Sequence, residues 1–189
     1  MSRRTFYDRL LVSDDEFELS EIESTYNYLK TLKSREGVIG NDLNSDETGF
    51  MLYSSNLRYY PEDLEQDNPK PDVLFLKTVM GMGLIPVLED HTIEMFINAH
   101  EMVDGGGMTF HDDGAFSCAA SIYLNSVEGG EFQAKFEAED GIDFIVQVAP
   151  KAGRAVIVKA ETEHRVARVI AGTRRNIQIF IKYIKRDQK

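Results

Sequence analysis

The sequence predicts a mainly β fold with flanking helices, arranged as a jelly roll (a double-stranded β-helix). Beyond residue 90, short segments of alternating apolar and polar residues follow one another, with glycine-containing turns between them. Helical periodicity is confined to the front of the chain. With 189 residues, 42% of them hydrophobic, the chain suits one packed core. We therefore expect a single domain over 1–189, with mainly helical support and loop over 1–90 and the jelly-roll core over 91–186.

The first elements are a strand and a helix. Residues 5–12 (TFYDRLLV) are predicted to form a short strand. A helix is predicted over 20–34, because Ile22, Tyr26 and Leu29 recur at helical spacing.

The stretch 38–70 mixes turn-forming residues with short apolar runs, so we predict an irregular segment with one helical turn after Pro61. A loop of this length fits either a substrate-binding lid or a variable surface loop. Asp72 is predicted to cap a second helix over 73–84, which Pro86 ends.

The remainder of the chain predicts eight short strands separated by turns. They are expected over 92–98, 107–113, 117–125, 131–137, 143–148, 154–159, 164–170 and 174–184.

Composition excludes some classes of function. The net charge of −11 argues against general nucleic-acid binding, which favours a basic surface. Basic residues do gather near the C-terminus, where they fit a solvated strand and a charged tail. A single cysteine, Cys118, excludes an intramolecular disulfide and fits a reducing compartment. Because we find no apolar run of signal-peptide or membrane-helix length, we expect a cytoplasmic protein without a membrane segment.

The candidate metal ligands are His111, Asp113 and His164. In a strand over 107–113, His111 and Asp113 would point to the same face, since side chains alternate. Two histidines and one carboxylate leave coordination positions open, as non-haem Fe(II) chemistry requires. His164 begins a later strand and is the best third ligand.

Two other histidines, His91 and His100, have no acid two residues later, and we predict that they lie at the surface or around the site. The His-x-Asp pattern is weak by itself, because an exposed acidic loop with an incidental histidine would look the same.

Two strands add candidate ligand-binding residues. Tyr123 shares a face with the small residues Ala119 and Ser121, which leave room for a cavity, although a plain core tyrosine fits as well. Arg174 and Gln178 share the polar face of the last strand, while Arg175 starts its apolar face. A buried arginine is tolerable where a carboxylate ligand pairs with it, so Arg174 is either an anion binder or the partner of a surface acid.

Taken together, these motifs resemble the prolyl 4-hydroxylase branch of the Fe(II)/2-oxoglutarate-dependent dioxygenases. The interval of ten residues from His164 to Arg174 matches the spacing of this branch between its distal histidine and its basic 2-oxoglutarate anchor. The resemblance covers nearly the whole chain and is most specific over 107–181. Its matching pieces are His111-Asp112-Asp113, Tyr123-Leu124-Asn125, Gly129-Gly130-Glu131-Phe132, His164-Arg165-Val166, Gly172 and Arg174.

The resemblance implies roles for these residues. His111, Asp113 and His164 would hold Fe(II), and Arg174, helped by Tyr123, would pair with the far carboxylate of 2-oxoglutarate. Gln178, which shares the polar face of the last strand with Arg174, is predicted to contribute to the same cosubstrate site. O2 is the second cosubstrate, and ascorbate is an expected auxiliary reductant. One departure is that the stretch 98–101 lacks the tyrosine that the family often has upstream of its first metal-binding histidine.

The resemblance favours hydroxylation of a prolyl residue in a peptide or protein. A free amino acid or another small molecule is the alternative within the family. Nucleobase demethylation is disfavoured, because that branch has a second arginine where this chain has Phe180. From other classes, a non-catalytic jelly-roll binding module and a zinc or manganese cupin remain alternatives.

Overall fold

The computed structural model describes residues 3–7, 9–14, 16–31, 34–35, 50–59, 77–81 and 88–186. Their elements are, in chain order, β1 (Arg3–Tyr7), β2 (Leu10–Asp14), α1 (Leu19–Thr31), β3 (Ser34–Arg35), β4 (Phe50–Tyr59), β5 (His91–Met102), β6 (Cys118–Tyr123), β7 (Glu128–Gly129), β8 (Phe132–Glu137), β9 (Asp143–Val148), β10 (Ala155–Lys159), β11 (His164–Val166), β12 (Val169–Ala171) and β13 (Arg174–Lys185). Residues 77–81 form a further short helical segment.

The strands form two facing layers. The large layer is an eight-stranded sheet with the order β1-β2-β10-β6-β13-β5-β4-β3. The small layer consists of a three-stranded sheet, β11-β8-β9, and the pair β12-β7. The predicted mainly β jelly roll is thereby confirmed, and a pocket between the layers is where such folds hold ligands.

The central strand β13 separates two hydrophobic cores. Ile177, Ile179 and Ile181 are completely buried and pack in one cluster with Ile22 and Leu29 of α1. Burial of each such side chain stabilises the fold by roughly 1.5–3 kcal/mol. The side chains between them point to the small layer, which is the alternation predicted for this strand.

The second core joins the two layers directly. Leu10 and Val156 of the large sheet pack with Phe132 and Val146 of the small sheet. This cluster fixes β8 opposite the large sheet and so sets the width of the space between the layers.

The front of the chain differs from the prediction in two places. The strand predicted over 5–12 is two antiparallel strands, because the chain reverses between Tyr7 and Leu10, which are paired. The segment predicted to be irregular over 38–70 contains β4, which pairs with β5 along its length. Its central Ser54-Ser55-Asn56 favours turns, and pairing with a long neighbouring strand overrides that local preference.

The first predicted helix is confirmed as α1, which ends three residues before the predicted 34. The predicted second helix over 73–84 is described only at 77–81, where the chain is helical. The helical turn predicted after Pro61 lies outside the described residues.

Two predicted strands in the jelly roll are wrong. Residues 107–113 are not a strand and join the small layer through a single bridge between His111 and His164. The strand predicted over 164–170 is two short strands, β11 and β12, because the chain changes partner from β8 to β7. The remaining strands are found within a few residues of their predicted bounds, apart from β5, which extends to Met102.

No helix in the described part of the chain combines the length and the apolar character that a bilayer crossing requires.

The pairing of β7 with β12 depends on Gly129, which lies very close to the backbone of Arg168 and Ile170. Gly129 has a φ of 75°, a conformation that favours glycine. A Cβ built there would press on the carbonyl oxygen of Arg168 and lie 2.7 Å from the amide nitrogen of Ile170. Gly141 has a similar φ of 77°, but its Cβ would meet only the side chain of Glu137, at 4.0 Å.

These two glycines give a matched test of backbone packing. We expect Gly141→Ala to lower the free energy of unfolding by about 1 kcal/mol, the cost of one strained φ. Gly129→Ala should cost about 3 kcal/mol or more, because backbone overlap adds to the same strain. Equilibrium urea unfolding followed by circular dichroism measures both values, and equal losses would contradict the packing assigned to Gly129.

Candidate active site

A pocket between the two layers collects the polar residues singled out in the sequence. It is lined by side chains from both layers and from the segment 107–113, among them His100, His111, Asp113, His164, Arg174 and Gln178. We call the part of the pocket around His111, Asp113 and His164 its candidate metal-binding end, and the part around Arg174 its candidate anion-binding end.

Backbone hydrogen bonds position the segment 107–113. The amide of His111 donates to the carbonyl of His164 at 2.9 Å, and the amide of His164 returns a bond at 2.8 Å. The amide of Asp113 donates to the carbonyl of Ala160 at 2.8 Å. His111 and Asp113 therefore face the pocket together, as predicted, although the predicted strand is absent. Asp112 is exposed, and its carboxylate accepts from the amide of Gly114 at 3.0 Å.

The three candidate metal ligands converge. One ligand atom from each of His111, Asp113 and His164 lies within 4.8 Å of the others. Nε2 of His164 lies 3.4 Å from Oδ2 of Asp113. The ring of Phe132 stacks on the ring of His164 with centroids 5.2 Å apart and so holds its plane.

Hydrogen bonds determine which nitrogen of each histidine is available to bind a metal ion. Nδ1 of His111 lies 2.8 Å from the carbonyl of Thr109, and Nδ1 of His164 lies 2.8 Å from the carbonyl of Thr162. A carbonyl only accepts, so each Nδ1 carries the proton and each Nε2 presents a lone pair to the pocket. This is the tautomer that a metal-binding histidine requires, with its orientation fixed from behind.

The donor set fits a divalent metal ion. Oδ2 of Asp113 is buried and has no hydrogen-bond partner among the described residues. With a proton on Nδ1, the Nε2 lone pair of His164 points at this oxygen of Asp113. Two acceptors that face each other repel, and a cation bound between them would remove the repulsion. Two imidazoles and one carboxylate, with the remaining side of the site open to the pocket, suit Fe(II).

The other end of the pocket holds a buried arginine. Arg174 is 2% exposed. Its Nε donates to the carbonyl of Gly130 at 3.1 Å, its Nη1 to Oδ1 of Asn176 at 2.6 Å, and its Nη2 to the hydroxyl of Tyr123 at 3.2 Å. These partners are neutral, and no carboxylate among the described residues pairs with Arg174. A buried cation in this state favours binding of an anion.

The predicted register of β13 is observed. Arg175 is exposed and lies 3.6 Å from Glu101, whereas Arg174 points between the layers. Tyr123 also lies at the arginine, with its ring centroid 4.9 Å from the guanidinium carbon.

The orientation of Gln178 follows from the charge of Arg174. Because the guanidinium only donates, Asn176 presents its oxygen to Arg174 and its amide nitrogen to Oε1 of Gln178, 3.3 Å away. The hydroxyl of Ser121 donates to the same oxygen. The amide nitrogen of Gln178 is then left as a hydrogen-bond donor at the pocket.

His100, predicted to lie at the surface or around the site, lines the pocket. It is 5% exposed and lies opposite Asn176 on β5. Burial, and next the charge of Arg174, lower the pKa of His100 to about 3, so its imidazole is neutral at neutral pH. The sequence feature that bears on this position is the stretch 98–101, which lacks the tyrosine that the family often has there and contains His100 instead. His91, by contrast, lies near the surface beside Asp90, as predicted.

Comparison with known proteins agrees with this geometry. The model of the 2OG-Fe(II) oxygenase superfamily matches residues 97–182. A search of curated protein sequences finds no significant match.

Solved structures share the fold at low identity. A Pseudomonas putida prolyl-4-hydroxylase is 13% identical, with a TM-score of 0.60 and coverage of 92% of both chains. A prolyl hydroxylase from Trichoplax adhaerens, in complex with a hypoxia-inducible factor peptide fragment, is 12% identical, with a TM-score of 0.61 and coverage of 93% of this chain and 84% of that one. The carbocyclase SnoK from nogalamycin biosynthesis is 15% identical, with a TM-score of 0.62 and coverage of 94% of this chain and 81% of that one.

Residues 97–182 are therefore similar to the 2OG-Fe(II) oxygenase superfamily, and this matched segment contains all six predicted site residues. Fe(II), 2-oxoglutarate and O2 are the cofactor and cosubstrates of this superfamily, as predicted. Its structural neighbours include prolyl hydroxylases, which agrees with the branch that the motifs resemble.

Neighbouring aspartates give a test of the metal site. We expect Asp113→Asn to weaken Co(II) binding by roughly 10- to 100-fold, because it replaces the anionic ligand with a neutral amide. Asp112→Asn should leave binding unchanged, since that carboxylate only caps the turn at Gly114. Titration of Co(II) absorption bands reads out both variants, and a comparable loss in Asp112→Asn would refute the assignment.

Proposed function

We propose that this protein is an Fe(II)- and 2-oxoglutarate-dependent dioxygenase that hydroxylates a C–H bond, and that its substrate is a prolyl residue in a peptide or protein. One observation carries the reaction class. Three metal-competent side chains and a buried arginine without a carboxylate partner among the described residues line the same pocket. A site that binds only a metal has no use for such an arginine.

His111, Asp113 and His164 are the proposed iron ligands. When bound, iron supplies the redox chemistry in which O2 oxidises 2-oxoglutarate to succinate and CO2 with one oxygen atom and inserts the other into the substrate C–H bond. The protein contributes fixed ligand directions, because Thr109 and Thr162 hold the two imidazoles.

Arg174, Tyr123 and Gln178 are the proposed cosubstrate-binding residues. The guanidinium offers charge-assisted hydrogen bonds to the far carboxylate of 2-oxoglutarate. The hydroxyl of Tyr123 contacts the guanidinium and Gln178 lines the same pocket, so both side chains are proposed to add neutral donors. Apolar walls from Phe132 and Val166 limit the access of water to the reacting groups.

Support for a prolyl substrate comes from the motifs and from neighbours that include prolyl hydroxylases, one of them bound to a peptide. The similarity to SnoK, a carbocyclase from nogalamycin biosynthesis, supports a small-molecule substrate as the second candidate. A non-catalytic binding module is disfavoured, because it would not need the aligned Nε2 atoms of His111 and His164.

Adjacent arginines provide a test of the cosubstrate site. Arg174→Gln should raise the KM for 2-oxoglutarate by roughly 100-fold, because it removes a buried charge-assisted contact. Arg175→Gln should leave KM unchanged, since Arg175 is exposed and contacts Glu101. Succinate release at varied 2-oxoglutarate concentration gives both values. An unchanged KM in folded Arg174→Gln would refute the anchor.

The substrate is tested with peptides that differ in one residue. A proline-containing peptide should gain one oxygen atom by mass spectrometry, with succinate formed in equal amount, while its alanine counterpart should gain none. A panel of free amino acids serves as the comparison for the second candidate. Oxygen incorporation confined to that panel would disprove the prolyl substrate but leave the reaction class intact.

A further inference from the structure

The edge of the three-stranded sheet carries exposed apolar residues. Within the described residues, β9 has β8 as its one neighbour. Ile142, Phe144 and Ile145 are 64%, 44% and 50% exposed. A sheet edge offers unpaired backbone groups to another chain, and proteins usually protect such edges with charges. An apolar edge of this kind is typical of a docking surface.

An open groove of about 620 Å³ lies beside this edge. Its size suits part of a bound peptide. Phe136 and Phe144 form its apolar wall, with stacked rings whose centroids are 5.7 Å apart. The turn after β8 and the loop before β11 contribute most of the other residues that line the groove. We call this surface the β9 groove and define it by Phe136, Glu137, Glu139, Phe144, Glu161 and Glu163.

The charge of the β9 groove is negative. The four carboxylates that define the groove are joined by a fifth, Asp143, whereas two basic side chains, Arg9 and Lys135, line it. One of the two, Lys135, already lies 2.9 Å from Asp143 and 3.5 Å from Glu163. An incoming cation would therefore meet an excess of carboxylates, whereas an acidic partner would be repelled.

The groove lies on the side of His164 that is remote from Arg174. Along β8, Phe132 lines the metal and cosubstrate pocket, Ala134 pairs with His164, and Phe136 lies in the groove. The loop before β11 joins the two sites, because the Thr162 carbonyl orients His164 and the neighbouring side chains line the groove. A chain lying in the groove would thus run beside the metal ligands without entering the cosubstrate end.

We infer that the β9 groove binds an extended, basic segment of the peptide substrate next to the residue that is hydroxylated. This inference rests on the proposed function and specifies its substrate class. The peptide backbone would add to the edge of β9, as in other strand-addition complexes. Lysine or arginine stems would cover Phe136 and Phe144, and their charges would face Glu161 and Glu163.

Binding is measured first, without turnover. Fluorescence anisotropy compares labelled proline peptides that carry lysine, glutamate or serine on both sides of the proline. We expect the lysine peptide to bind best and to weaken as salt is raised. The variant with Glu139→Gln, Glu161→Gln and Glu163→Gln should bind it roughly tenfold more weakly, about twofold for each neutralised carboxylate. The matched control with Glu23→Gln, Glu89→Gln and Glu128→Gln should bind it normally.

The apolar edge is tested separately. Ile145→Ser should weaken binding of the lysine peptide, because Ile145 lies on the proposed docking strand. Ile170→Ser is the matched control, since Ile170 is also an exposed isoleucine, 64% accessible, on β12 outside the groove. Equal effects of the two variants would contradict docking on β9.

Succinate release separates this inference from the proposed function. The groove variants should retain the succinate release of the unmodified protein in the absence of peptide. If peptides with lysine and glutamate bind and react equally while succinate is formed, the groove assignment is wrong and the oxygenase assignment stands. If no succinate is formed but the lysine peptide still binds through the groove, the proposed reaction is wrong instead.

Discussion

The buried positive charge of Arg174 is the constraint on which the rest of the pocket depends. A guanidinium removed from water is costly unless its donors are satisfied and its charge is balanced. Gly130, Asn176 and Tyr123 satisfy donors but supply no negative charge. Because Arg174 cannot accept a hydrogen bond, it also fixes the amide of Asn176 and, through it, the amide of Gln178. The folded protein therefore holds a polar network whose remaining requirement is an anion.

The metal-binding end is organised differently. Both histidines bond through Nδ1 to the carbonyl of the residue two positions earlier, Thr109 for His111 and Thr162 for His164. Each ring is thus oriented by its own chain segment, so a regular strand is not needed. The two segments are then joined by reciprocal backbone bonds between the histidines. This explains how a facial arrangement of ligands forms at a single bridge, while Arg174 sits on the long central strand.

The sequence predicted the fold class and the pocket residues better than it predicted the elements that carry them. Alternation along β13 placed Arg174 correctly, because that strand has an apolar face packed on α1. Strand alternation also paired His111 with Asp113, although local hydrogen bonds produce that geometry in an irregular segment. β4 was missed because long-range pairing with β5 stabilises it against its turn-forming residues. The burial of His100 depends on the layers around β5, so the sequence alone left open whether it lies at the surface or around the site.

The side chains around the two ends of β8 differ in charge, and this gives the two ends of the site opposite preferences. At one end, Gly130 accepts from the buried guanidinium of Arg174, and the absence of a counter-ion among the described residues favours an anionic cosubstrate. At the other end, beyond His164, exposed carboxylates of the β9 groove favour a cation. An acidic peptide would be repelled at the groove, and a basic peptide would gain nothing by entering the arginine end. Under the proposed function, charge would therefore direct a basic substrate and an anionic cosubstrate to opposite ends of the site before either reaches the metal ligands.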